Sequence, residues 1–128
     1  MRNPDSLPRP SGYSHAVIAD GSRTVYLAGQ TAHRADGSLA AGSMAEQFDV
    51  AAGNVVEALQ AAGARPQELV SMQIFVTNIA EYQRLSKEIG VAYRRHFGRH
   101  YPAMALVEVS RLYDPAATVE LMCIAVTV

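Results

Sequence analysis

"TVELMCIAVT", Thr118 to Thr127, is apolar on both faces of the strand it predicts. Side chains alternate along a strand. Val119, Leu121, Cys123 and Ala125 therefore point one way, and Met122, Ile124 and Val126 point the other. Both sides of such a strand need cover. The rest of the chain offers two helices, and two helices cover one face of a sheet. The simplest cover for the second face is another copy of the chain, so this stretch predicts a homo-oligomer.

The helices are legible upstream. In "SMAEQFDVAAGNVVEALQAAG" (43–63), Ser43 and Glu46 have capping-box spacing. Met44, Phe48, Ala51, Ala52, Val55, Val56, Leu59 and Ala62 recur at three and four, and Gly63 suits a C-terminal cap. "NIAEYQRLSKEIGVAYRRHFG" (78–98) repeats the pattern. Asn78 and Glu81 resemble a second capping box, Tyr82, Leu85, Ile89, Tyr93 and Phe97 form the stripe, and Gly98 ends it. Between them, "ELVSMQIFVTN" (68–78) is rich in Val, Ile and Phe and reads as a strand.

"HAVIADGSRTVYLAGQ" (15–30) predicts a hairpin. Its first strand is His15–Ala19, Asp20-Gly21 makes the turn, and Arg23–Ala28 is the second strand. Gly29 then breaks the strand. "HRADGSLA" (33–40) is a further turn. Ala103–Val109 forms another strand, joined to the last one by the turn signal "YDPAA" (113–117). The predicted order is β-β-α-β-α-β-β, an α+β mixed sheet with both helices on one face, in one domain over 1–128.

Composition removes several function classes. Lys+Arg number 11 against 12 Asp+Glu, which gives no electrostatic argument for nucleic acid or an anionic membrane. The lone cysteine, Cys123, allows neither an intrachain disulfide nor a cysteine-based zinc cluster. His15, His33, His96 and His100 have no metal-site spacing, so no metal is expected. No nucleophile elbow, Walker motif or dinucleotide fingerprint occurs, and no cofactor is expected. The polar, Pro-rich start "MRNPDSLPRPSGYSH" (1–15) lacks the apolar region of a signal peptide, and no apolar run has membrane-spanning length. The expected location is cytoplasmic.

Glu120 carries the most chemical information. It shares a strand face with Met122, Ile124 and Val126. A carboxylate in apolar surroundings is costly, so it must be partnered, protonated or placed at a site. The functional reading is a general acid/base or a group that orients water. The structural one is a rim glutamate paired with Arg111. Cys123 reads as a small buried hydrophobe. "YRRHFGRHY" (93–101) reads either as a phosphate or RNA contact, or as cations at a helix C-terminus above an aromatic stripe. "LAGQ" (27–30) is not a phosphate loop, but its backbone is available to a ligand.

Six stretches in order together resemble the RidA (YjgF, reactive intermediate deaminase) family. They are "GYSHAV" (12–17), "YLAGQ" (26–30), "AAGNVVEALQAAG" (51–63), "VSMQIFVTN" (70–78), "YPAMALVEVSRL" (101–112) and "VELMCIAV" (119–126). The resemblance implies a chorismate-mutase-like α+β fold and a homotrimer binding a small-molecule ligand in a cleft at each subunit interface. It implies hydrolysis of imines and enamines such as 2-aminoacrylate to a keto acid and ammonia. Glu120 would be catalytic; Tyr13, Gly29, Gln30, Met104 and Leu106 would line the cleft.

One motif departs from the family. Active members carry Pro-Ala-Arg, whose arginine clamps the substrate carboxylate. This chain has Pro102-Ala103-Met104. The small residue or cysteine two places on is Leu106, and the substrate-side asparagine falls at Gly90. Losing one bidentate pair from a desolvated site costs about 2–5 kcal/mol. A hydrolase of a non-standard subgroup is therefore expected, poor on 2-aminoacrylate. The alternative is a non-catalytic trimer that binds a metabolite or partner. Endoribonuclease activity ranks last.

Overall fold

The computed structural model describes residues 1–128. In chain order its elements are β1 (Arg23–Tyr26), α1 (Met44–Ala61), a 3-10 turn at Pro66–Glu68, β2 (Leu69–Val76), α2 (Ile79–Arg84), α3 (Ser86–Phe97), β3 (Ala103–Glu108) and β4 (Val119–Thr127). The strands form one mixed sheet ordered β1-β4-β2-β3. The two-sided strand β4 lies inside it, antiparallel to β1 and β2. β2 and β3 are parallel and joined through α2 and α3, the connection that parallel pairing demands.

The helices cover one face, as the two-helix arithmetic requires. Val119, Leu121, Cys123 and Ala125 are buried there with Met72, Ile74 and Val76 of β2, against Phe48, Val55 and Leu59 of α1 and Ile89 and Phe97 of α3. Leu69 joins them three residues before Met72, an odd spacing for one strand face. The register shift between Leu69 and Ser71 resolves it by turning Leu69 inward. On the opposite face Met122 is 40% exposed and Tyr26 77% exposed. Burying a large apolar side chain stabilises by about 1.5–3 kcal/mol. The helix face collects that gain within the chain, whereas the other face retains exposed apolar surface.

Both predicted caps of α1 form. Ser43 Oγ accepts from the Glu46 N–H at 3.2 Å and Glu46 Oε1 accepts from the Ser43 N–H at 3.2 Å. Gly63, at φ +76°, closes the far end in the left-handed conformation glycine favours. Asn78 caps α2 by accepting from the Glu81 N–H, but Glu81 turns to Arg84 instead of completing a box. Glu108, at the end of β3, accepts from the Ile79 N–H at 2.9 Å and ties that strand to the helix start.

Two expectations are corrected. The predicted 78–98 helix is divided at Leu85, whose φ −98°, ψ 14° lie in the bridge region. The helical ladder passes through the bend, with Leu85 N–H donating to Glu81 O and Leu85 O accepting from Ile89 N–H, so the apolar stripe keeps its phase. The predicted hairpin is not formed. His15–Ala19 is not a strand, and β1 ends at Tyr26 rather than Ala28.

The reason lies in Gly21, which has no positive φ and so cannot make the expected primed turn. It packs against β4 instead. A Cβ there would lie 2.6 Å from Thr127 O. Segment 13–16 pairs elsewhere. The Ser14 N–H donates to Pro102 O at 3.0 Å beside β3, and the His15 N–H is taken by Asn3 Oδ1 at 2.8 Å.

Candidate active site

Past β1, Gln30 pairs with Leu121 through N–H···O bonds of 2.8 and 2.9 Å, which carries the backbone alongside β4. This bridge sets Gly29 directly under Glu120. A Cβ on Gly29 would lie 2.5 Å from Glu120 Oε1 and 2.8 Å from its Cδ, so the carboxylate lies in the space a side chain at 29 would use. Glu120 sits opposite Phe75 of β2 on the face away from the helices, half-buried. No cation pairs with it. Arg111, the partner weighed from sequence, points its Nε toward Leu112 O.

Glu120 opens on a cavity of about 500 Å³ shared with Thr31, His33, Tyr113, Asp114 and Pro115. Asp114 Oδ2 accepts from His33 Nε2 at 3.1 Å, and Thr31 Oγ1 bonds His33 Nδ1. A carboxylate only accepts, so His33 carries a proton on Nε2. Asn54 of α1 fixes this loop by donating to Thr31 O and His33 O at 2.9 and 2.8 Å. The Ala116 N–H, and then His33, hold the Asp114 carboxyl below the usual aspartate range. Gln47 of α1, buried, spans the same connection by bonding Ala116 O and the Thr118 N–H.

A larger cavity, about 620 Å³, opens on the helix side of β3. Met104 and Leu106 form its floor; Tyr82, Ile89, Gly90 and Tyr93 form the helical wall, and Tyr13 and Tyr101 close the strand side. Its volume falls within the range of small-molecule sites. Tyr93 stacks on Tyr101 at 5.2 Å and donates its hydroxyl to His100 O at 2.6 Å. Burial pushes the Tyr82 and Tyr93 hydroxyls up, so neither ionises near neutral pH. Cys123 lies under the sheet with its thiol pushed up to about 12 by burial, which removes it as a nucleophile.

These two sites lie on opposite faces of the sheet. Met104 is in register with Met72 and Cys123, on the helix face. Glu120 is in register with Phe75 and Val107, on the open face. Within one chain Glu120, Gly29 and Gln30 come together, and Tyr13, Met104 and Leu106 come together, but the two sets do not meet.

Comparison with known proteins is consistent along the whole chain. The profile of the Endoribonuclease L-PSP family matches residues 5–127. The 2-iminobutanoate/2-iminopropanoate deaminase of Bos taurus is 32% identical over 115 residues, covering 89% of this chain and 79% of that protein. A crystal structure of the conserved Rid-family protein YyfB from Yersinia pestis superposes with a TM-score of 0.85 at 31% identity, covering 98% of this chain and 96% of that one. The chain belongs to the RidA family. The human 2-iminobutanoate/2-iminopropanoate deaminase is similar at 31% identity over 78% of this chain and 69% of its own length.

For this RidA-family chain, sequence reasoning missed the Thr31–His33–Asp114 chain of hydrogen bonds. His33 and Asp114 lie 81 residues apart in two stretches that read only as turns. It also missed the aromatic wall of the larger cavity, since Tyr82 and Tyr93 read as core stripe. Of "YRRHFGRHY", the aromatic-stripe reading holds: Tyr93 packs edge-on against Phe97 at 4.9 Å, while Arg95 and His96 bond Asp49 of α1.

Proposed function

We propose that the chain is an imine or enamine hydrolase that works as a homotrimer, with the Glu120 side of one copy facing the Met104 cavity of the next. The observation that carries this reading is the Glu120 carboxylate, half-buried and without a cation, lying over the bare backbone of Gly29. The names of the bovine and human relatives support the chemistry. The apolar, exposed sheet face supports the assembly, and so does the separation of the two residue sets within one chain.

In the proposed reaction Glu120 takes a proton from water as its oxygen attacks the C=N carbon. Glu120 passes that proton to nitrogen to give the carbinolamine, then takes the hydroxyl proton and relays it to the same nitrogen as the intermediate collapses. The C–N bond breaks, a carbonyl forms and ammonia leaves, so one water is consumed and no redox partner is needed. Gly29 presents its backbone beside the attacking water, Gln30 holds that backbone in place through its bridge to Leu121, and Tyr13 with Leu106 bounds the organic part of the substrate. Met104 offers no charge to a carboxylate, so 2-aminoacrylate is a poor substrate and larger, more apolar imines are preferred.

The test generates imines in situ from a panel of amino acids with an amino-acid oxidase and follows ammonia release. General-base participation is worth about 10²–10⁴-fold, and Glu120→Gln should lose that much while remaining folded. Full activity in Glu120→Gln, or no acceleration by the wild type on any imine, would overturn the reading. The second outcome, combined with a ligand retained in the cavity, would favour a non-catalytic binder, which Met104 also supports.

A further inference from the structure

We propose that Arg94 receives a ligand's carboxylate at the larger cavity, and that the site selects anions bearing an aromatic or bulky apolar tail. Arg94 lines the cavity and is its only charged side chain; no carboxylate lines it. Most of the remaining lining is apolar or aromatic. Arg94 is exposed at the cavity's rim, and no carboxylate of its own chain lies beside it, so an anionic group of a ligand seated in the cavity comes within its reach.

The placement of the guanidinium is specific. Arg94 stands one turn after Gly90 on α3, and helical side chains lean toward the N-terminus. A Cβ at Gly90 would lie 3.3 Å from Arg94 Nη1 and 4.0 Å from Nη2. The guanidinium therefore lies over the bare backbone of Gly90, in the space a side chain there would use. Glycine is unfavourable inside a helix, and here it opens a seat for the arginine at the cavity wall.

The ordinary explanation of a basic residue in a last helical turn is interaction with the terminal carbonyls. Arg94 points the other way, back toward Gly90. Its neighbours are already paired: Arg84 with Glu81, and Arg95 and His96 with Asp49. Arg94 has no ion-pair partner. The stacked pair Tyr93–Tyr101 and the flexible Met104 line the rest of the cavity, which makes the tail's environment apolar and adaptable. With an uncharged Met104 on the floor and the cation on α3 at the rim, a small anion gains little here and an anion with a bulky apolar tail gains both contacts.

This inference rests on the hydrolase reading for the identity of the substrate, so binding is measured apart from turnover. The full chain is titrated calorimetrically with 3-phenylpropanoate, its uncharged amide, and propanoate. Wild type should bind 3-phenylpropanoate more tightly than either. Arg94→Gln should weaken 3-phenylpropanoate by about 5-fold, the upper end for an exposed ion pair, and leave binding of the amide unchanged.

Arg94→Lys should fall between them, and Arg99→Gln, an exposed cation outside the cavity, should match wild type. Equal binding of acid and amide by wild type, or 3-phenylpropanoate binding unchanged in Arg94→Gln, would overturn the proposal. If imine turnover depends on Glu120 yet its KM is unmoved by Arg94→Gln, this inference fails while the hydrolase reading stands. Arg94-dependent binding without turnover supports the inference and removes the hydrolase.

Discussion

Glu120 and Gly29 illustrate how one residue's chemistry depends on another's lack of a side chain. Sequence pattern identified Glu120 as a carboxylate in an apolar strand. It could not show that Gly29 lies beneath it, because that contact is made by the Gln30–Leu121 bridge. Asp114 carries a prediction at the same scale. Its carboxyl is held low by the Ala116 N–H and by His33, so it stabilises the fold above the ordinary aspartate pKa, and that contribution is lost as pH falls through the lowered value. Urea midpoints at neutral pH and below about pH 4 should therefore fall more steeply in wild type than in Asp114→Asn. Parallel profiles would show that the pair does not stabilise the fold. The residues least legible from sequence, His33 and Asp114, are those whose partner lies across the chain.

Local and tertiary signals agree in α1 and disagree in the first predicted hairpin. The capping box, the 3.6-residue stripe and Gly63 all specify the same helix, and the structure forms it almost as read. Ser43→Ala removes the acceptor for the Glu46 N–H and should cost about 0.5–2 kcal/mol, read as a lowered denaturant midpoint with an unchanged slope. An unchanged midpoint would mean that water replaces the cap without loss. At Asp20-Gly21 the turn signal is equally strong locally, yet close approach to Thr127 uses the glycine for packing. A short strand whose glycine is claimed by a distant element cannot be recognised from its own neighbourhood. The bend at Leu85 escaped for the opposite reason: the stripe runs through it without a change of phase.

At the scale of the whole molecule, β4 determines the account. Its helix-facing side closes a core within one chain, and its other side keeps Met122 and neighbouring apolar groups at the surface. That asymmetry was legible in "TVELMCIAVT" before any fold was known. What the sequence did not carry was the division of the candidate site between the two faces. It follows from strand register, which puts Met104 in line with Met72 and Glu120 in line with Phe75. The central claim is that a working site needs both faces, one from each of two copies. The direct measurement is complementation between Glu120→Gln and Leu106→Trp, the second chosen to fill the cavity. Each variant alone should be inactive in imine hydrolysis. Unfolded and refolded together in equal amounts, they should recover up to about a quarter of wild-type ammonia release, because random rings pair an intact Glu120 with an intact cavity at that frequency. A mixture as inactive as its components, with mixed oligomers present, would contradict the claim.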